Sequence, residues 1–274
     1  MRLAVLLASA ALALAVPAAA APADDLRGLL GEHYAWLLRN SPTYATSLGV
    51  RDYDDRIQDL SPEAREAYVR EAQAFLERTD RIPADQLSAS ERVTRDILRR
   101  TLAETVEGWR HGQRDMLFTT YDGWHQGFAG MARNLPFRTR ADYESYLVRI
   151  AQYPRLNDQA LAITARAVQG GYVLPCSVLE GHERSIAGVI AEDPAQSRFY
   201  EPFTRSRPTS IPEADWTAMQ ERARRIITET INPAYRRHAE FYRTQYLPNC
   251  ARTDSTSSQP GGADYYAFRV RAET

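Results

Sequence analysis

A hydrophobic period of 3.6 residues recurs along this chain, and the two-residue alternation of a strand is missing before residue 262. Leu26, Leu29, Leu30, His33, Tyr34, Leu37 and Leu38 share one helical face, which opens at Asp24-Asp25 and closes before Ser41-Pro42. "SPTYATSLG" restarts a short helix at Pro42 and stops it at Gly49. "SPEAREAYVREAQAFLERTD" offers Ser61 as a cap and Pro62 in the first turn, where a missing N–H is harmless. Ser88 and Glu91 form a capping box ahead of a face running through Leu98, Leu102, Val106 and Trp109.

The pattern breaks over residues 115–136, "DMLFTTYDGWHQGFAGMARNLP", which reads as a loop with one short helix at most. Helices resume at Thr139, with Tyr143, Tyr146, Leu147 and Ile150 aligned, and again after Pro154 up to Gly170-Gly171. Further faces carry Leu179, His182, Ile186, Val189 and Ile190, then Met219, Ala223, Ile226, Ile227 and Thr230. Asn232-Pro233 is expected to kink or restart that helix. The next one carries Tyr235, His238, Phe241 and Tyr242 and stops at Pro248. The expected fold is all-α: one irregular domain of roughly eight to ten helices over residues 21–250. Residues 251–262 read as a flexible Ser/Thr/Gly linker. In residues 263–274, Tyr266, Phe268 and Val270 alternate with arginines like a strand, yet Tyr266 and Val270 also sit at helical spacing. A segment so short cannot bury those side chains alone, so it reads as the start of an incomplete second unit.

Residues 1–20 have the order of a secretory signal peptide: a positive start, the apolar run Leu3–Val16, then Pro17 and small residues. That run falls short of the roughly 20 residues a bilayer core needs. No cysteine follows it to suggest a lipid anchor. The expectation is export to the periplasm or beyond. Net charge is −1, so nothing points to nucleic acid or an anionic membrane. All 34 basic residues are arginine, which excludes a Schiff-base or phosphate-loop lysine. In an oxidising compartment Cys176 and Cys250 are expected to pair, the alternative being two free thiols. A bridge over so long a loop would contribute roughly 4–5 kcal/mol by loss of unfolded-chain entropy.

Candidate chemistry is sparse. His182-Glu183 begins like a helical zinc motif, but Ile186 stands where the second histidine would be. His182 therefore reads as a structural group on an apolar face. His33, His111, His125 and His238 show no ligand spacing. In "RDYDDRIQD", Arg56 and Ile57 occupy positions where a calcium loop needs an oxygen ligand and glycine, so a solvated loop is expected. No nucleophile elbow or Gly-rich phosphate loop occurs. The remaining candidate is "TTYDGWHQGF", where Tyr121, Trp124 and His125 share a Gly-hinged loop suited to a substrate cleft. An aromatic loop folded into the core is the alternative.

Several ordered stretches carry a family resemblance, among them "NSPTYATSLGVRDYDDRIQDLSPEA", "FTTYDGWHQGFAGMARNLPFRTRADYESYLVRI", "GGYVLPCSVLEGHERSI", "INPAYRRHAEFYRTQYLPNCART" and "PGGADYYAFRVRAET". From about Leu26 to Thr274 the chain resembles the bacterial domain-of-unknown-function family numbered 885. The resemblance implies a mostly helical, exported protein related to zinc metallopeptidases, with a His-Glu-x-x-Pro-Gly-His signature in the second half of a longer chain. That signature is absent here, so no catalytic or metal residue transfers, and zinc is expected only in a C-terminal half beyond Thr274. The expected role is one wall of a peptide-substrate cleft, inactive alone, with the missing half as partner. Trp124 and His125 are inferred cleft residues. A stand-alone periplasmic helical binding module, or a truncated reading frame without function, are the alternatives.

Overall fold

The computed structural model describes residues 21–119 and 122–274, so the signal-peptide reading of residues 1–20 lies outside the described residues. Among the described residues there are eleven α-helices: α1 Pro22–Asn40, α2 Pro42–Ser47, α3 Pro62–Asp80, α4 Ala89–Gly108, α5 Trp124–Gly130, α6 Arg140–Ala151, α7 Tyr153–Gln169, α8 His182–Ala187, α9 Glu213–Ile226, α10 Asn232–Phe241 and α11 Gly262–Glu273. Among the described residues the only β pairings are two isolated bridges, Phe118 with Gly123 and Pro175 with Ala251. The fold is all-α. No helix among the described residues is long and apolar enough to cross a membrane.

Capping follows the sequence. Ser61 accepts from the Ala64 N–H, and Ser88 with Glu91 closes a reciprocal capping box. Thr139 and Asp142 form a second box at the start of α6. Two apolar cores result. The smaller joins α1, α3 and α4 through Leu26, Leu29, Trp36, Ala72, Leu98 and Leu102. Trp36 rather than Tyr34 turns inward on α1, stacking on Tyr68 at 4.5 Å, while Tyr34 is exposed. The larger core gathers α5 to α10 around Tyr146, Tyr153, Tyr235 and Tyr242.

Residues 213–249 run as one helical rod interrupted by two π-turns, Ile227–Ile231 and Tyr242–Tyr246. Each precedes a proline, Pro233 and Pro248. A proline ring collides with the carbonyl four residues back and offers it no N–H. Widening the preceding turn relieves both problems and rotates the helical face that follows. The expected break at Asn232-Pro233 is thus a change of pitch, not a stop.

The aspartate loop after α2 is not merely solvated. Asp54 is buried and accepts from Thr46 Oγ1 at 2.6 Å and pairs with Arg51 at 2.5 Å. Arg149 of α6, 1% exposed, donates to the carbonyls of Arg56 and Tyr53 and to Thr46 Oγ1, each at 2.8 Å. Burial pulls the Arg149 pKa down from the ordinary arginine value, and Asp54 and Asp55 oppose that. Arg51 reaches on to Asp142, which also accepts the N–H groups of Arg138 and Thr139 at 2.8 Å.

Cys176 and Cys250 form a disulfide, with Cα atoms 5.1 Å apart. Beside it, Ala251 donates to Leu174 O at 3.0 Å and Cys176 donates to Ala251 O at 2.9 Å. Residues 251–262, read above as a linker, are bonded to the body: Gln259 donates to Val173 O at 3.0 Å and meets Gln113 at 3.1 Å. The tail is a helix, not a strand. A Cβ at Gly262 would lie 1.9 Å from Thr256 O, so only glycine permits the turn that launches α11. Phe268 is buried against Gly108 and stacks on His111 at 5.2 Å, while Tyr266 is 62% exposed.

Arg149→Met removes the donors from two buried carbonyls and leaves Asp54 short of compensating charge. Its unfolding free energy, read by urea titration, is expected to fall by about 3–5 kcal/mol.

Candidate functional site

Residues 118–125 place the candidate side chains. Phe118 and Gly123 form an isolated bridge, and the Gly123 N–H donates to Asp122 Oδ1 at 2.7 Å. A Cβ at Gly123 would sit 2.9 Å from both His125 Nδ1 and Phe118 Cβ, so this close approach requires glycine. Tyr121, a sequence candidate, lies outside the described residues.

Trp124 opens α5. Its indole N–H donates to Asn157 Oδ1 at 3.1 Å, and its ring stacks on His238 of α10 at 4.4 Å. One edge of Trp124 lines a cavity of about 440 Å³ together with Asp122, Gly127, Phe128 and Leu156. Ile57, Gln58, Leu60 and Leu117 also line it and continue into a second cavity of about 430 Å³ toward α3 and α4. The two cavities adjoin across these four shared wall residues.

His125 is not at the cleft surface; it is fully buried. It meets two further buried histidines, with ring centroids 5.3 Å from His182 and 5.1 Å from His238. His182 stacks on Phe118 at 4.6 Å and faces Tyr242 at 5.0 Å. Neither ring nitrogen of His182 has a partner, nor do Nδ1 of His125 and Nδ1 of His238. The reading of His182 as an inward-facing group agrees with this placement; its meeting with His125 and His238 was invisible to sequence spacing.

Ser185 Oγ donates to His182 O at 2.7 Å and lies 2.9 Å from His125 Nε2. With its hydroxyl proton on the carbonyl, the serine accepts from the Nε2–H tautomer of His125. Among the described residues no group of three His, Cys, Asp or Glu could hold a metal ion. What the cluster supplies is a neutral, polarisable floor beneath Trp124.

Burial sets that neutrality. Desolvation, reinforced by the charge His182 would carry, pushes His125 down to about 4. Desolvation, with His125 and His182 adding to it, pushes His238 down to about 2, and burial lowers His182 as well.

With this geometry in view, the comparisons give the chain its relatives. The family described as "Bacterial protein of unknown function (DUF885)" matches residues 42–274. The chain belongs to this family. A crystal structure of a protein from Colwellia psychrerythraea, provisionally named a lipoprotein, superposes with a TM-score of 0.77 at 15% identity. The match covers 92% of this chain and 46% of that one, so the chain spans about half the length of that structure. At this identity the likeness establishes a shared fold. No curated protein matches.

The histidines make stability pH-dependent in a defined direction. An unfolded histidine gains its proton near 6.5, while folded His125 and His238 stay neutral to about 4 and about 2. Between those limits the unfolded state binds more protons, so their contribution is complete above the unfolded value and is lost as pH falls. Each is expected to remove about 1.4 kcal/mol per pH unit. Chemical denaturation of His238→Phe at a series of pH values is expected to show a slope smaller by about one proton.

Proposed function

We propose that this chain is a helical portion of an exported, zinc-metallopeptidase-like protein of the DUF885 family, forming one wall of a substrate cleft and performing no hydrolysis itself. The observation that carries this reading is the pair of adjoining cavities that share Ile57, Gln58, Leu60 and Leu117, with Trp124 in the wall of one and a buried, neutral histidine cluster behind it. Such a cleft holds an extended chain through ring contacts and backbone polar groups. The partial coverage of the Colwellia psychrerythraea structure supports a longer relative architecture. Exposed apolar side chains on α4 and α11, Val93, Ile97, Tyr266 and Val270, supply surface against which further protein would pack. The metal chemistry, peptide substrate and export belong to what the family resemblance implies.

One observation favours a second reading, a self-sufficient periplasmic binding module. α11 does not hang free: Phe268 is buried against α4, and Arg100 donates to Ala272 O at 2.8 Å. Both readings keep the cleft; they differ in whether an apolar face is left uncovered.

The purified chain is expected to bind an unstructured peptide, read by tryptophan fluorescence, without cleaving it. Trp124→Ala is expected to weaken that binding at least about fivefold, as loss of an aromatic anchor does. Undiminished binding in that variant sinks the cleft reading. Cleavage, with one zinc per chain by elemental analysis, sinks the non-catalytic part. Strong binding of a hydrophobic dye by the native chain favours the portion of a longer protein, and its absence favours the module.

A further inference from the structure

The cavity toward α3 and α4 has its own chemistry. Its volume of about 430 Å³ falls within the size range of small-molecule sites. It lies where the two cores meet, with Tyr68 packed against one and Leu60 against the other. At its end stands Trp109, with the Arg65 guanidinium 5.1 Å and the Arg114 guanidinium 4.4 Å from the ring. These two cations share one carboxylate. Asp115 is 2.7 Å from Arg65 but 3.9 Å from Arg114. Arg65 is also tied to Arg114 O at 3.0 Å, so its fork is occupied and fixed. Arg114 donates one Nη to the Trp109 carbonyl and keeps only the long contact to Asp115. Two cations against one anion leave one excess positive charge beside an aromatic ring and an apolar wall. Other charges on the lining have partners: Arg39 with Glu71 at 2.7 Å, Asp59 with Arg155 at 3.4 Å, and, loosely, Arg56 with Asp55 at 3.8 Å.

We propose that this cavity binds an amphipathic carboxylate. The carboxylate takes the open side of Arg114 over Trp109, and the apolar body lies against Tyr68, Val69 and Leu60. A guanidinium fork is matched to a carboxylate by charge and shape, and neighbouring rings favour a planar or branched apolar group. That chemistry can come from a small organic acid or from the C-terminal residue of a peptide. The inference is independent of the cleft-wall reading, because every residue it uses lies in this chain and no second half is involved.

The test uses the whole chain and calorimetric or fluorescence titration with four probes: N-acetyl-phenylalanine, its amide, a tetrapeptide ending in phenylalanine, and that tetrapeptide amidated. Both free acids are expected to bind about tenfold more tightly than their amides, with affinity falling as salt rises. Arg114→Gln is expected to abolish that preference while leaving the weak amide binding. Ala64→Phe, which adds a ring to the cavity wall without removing an arginine, is expected to abolish binding of all four. Tighter binding of the tetrapeptide acid than of N-acetyl-phenylalanine assigns the site to peptide ends, and equal binding assigns it to small acids. Equal affinity for acid and amide, a preference that survives Arg114→Gln, or no binding by any probe overturns the proposal. Circular dichroism of both variants confirms that they are folded.

Discussion

One buried guanidinium fixes the segment that leads into the walls of both cavities. Arg149 sits in α6, yet almost every group it serves lies on the segment between Pro42 and Arg56. That segment has little regular structure after α2, so its carbonyls need an outside donor. Arg149 provides it, and Asp54 balances the charge through Thr46. Ile57 and Gln58 follow immediately and line both cavities. A fixed cation in the core thus fixes the loop, and the loop supplies wall residues to both cavities.

The histidine cluster is organised by different means. Its members come from α5, α8 and α10, and nothing charged balances them. They are held by ring contacts, by Ser185 and by the helical pitch of the rod over residues 213–249. The π-turn before Pro233 rotates α10 so that Tyr235 and His238 face inward together. Tyr235 then donates to the carbonyl of His125 at 2.6 Å, which ties α5 to the same rod. A proline that would only interrupt an isolated helix here tunes which face meets the core.

Much of the fold was legible because it depends on local rules. Pro62, the Ser88–Glu91 box and the inward faces of α6 and α10 follow from periodicity and capping chemistry. The sites were less legible because they depend on meetings across long stretches of chain. Trp124 lines a cavity, whereas His125, the next residue of the same helix, is turned to the core. Nothing in the spacing of His125, His182 and His238 announces that their rings converge. The aspartate loop was only partly legible because its one buried acid, Asp54, is compensated by Arg51 at the start of the loop and by Arg149 on α6. The tail stayed open between strand and helix because Arg269 and Arg271 alternate with apolar residues, while the deciding contact, Phe268 on Gly108, lies on another helix. The cavity by Trp109 could have been suspected from one signal only, the density of arginines around a tryptophan that ends an apolar face.

The disulfide has a topological consequence. Joining Cys176 to Cys250 makes a covalent ring out of α8, α9, α10 and the segments between them. The exposed run over residues 204–210 lies inside that ring. A protease that severs it opens the ring into a branched chain but frees no fragment, because both new ends remain anchored at the same sulfur bridge. His182 and His238 both lie within the ring, so they stay in one covalent body after such a cut, and the histidine floor can be rebuilt without any diffusive search. Outside a cell, where proteases act and no synthesis replaces a damaged chain, the ring converts a break in sequence into a local defect.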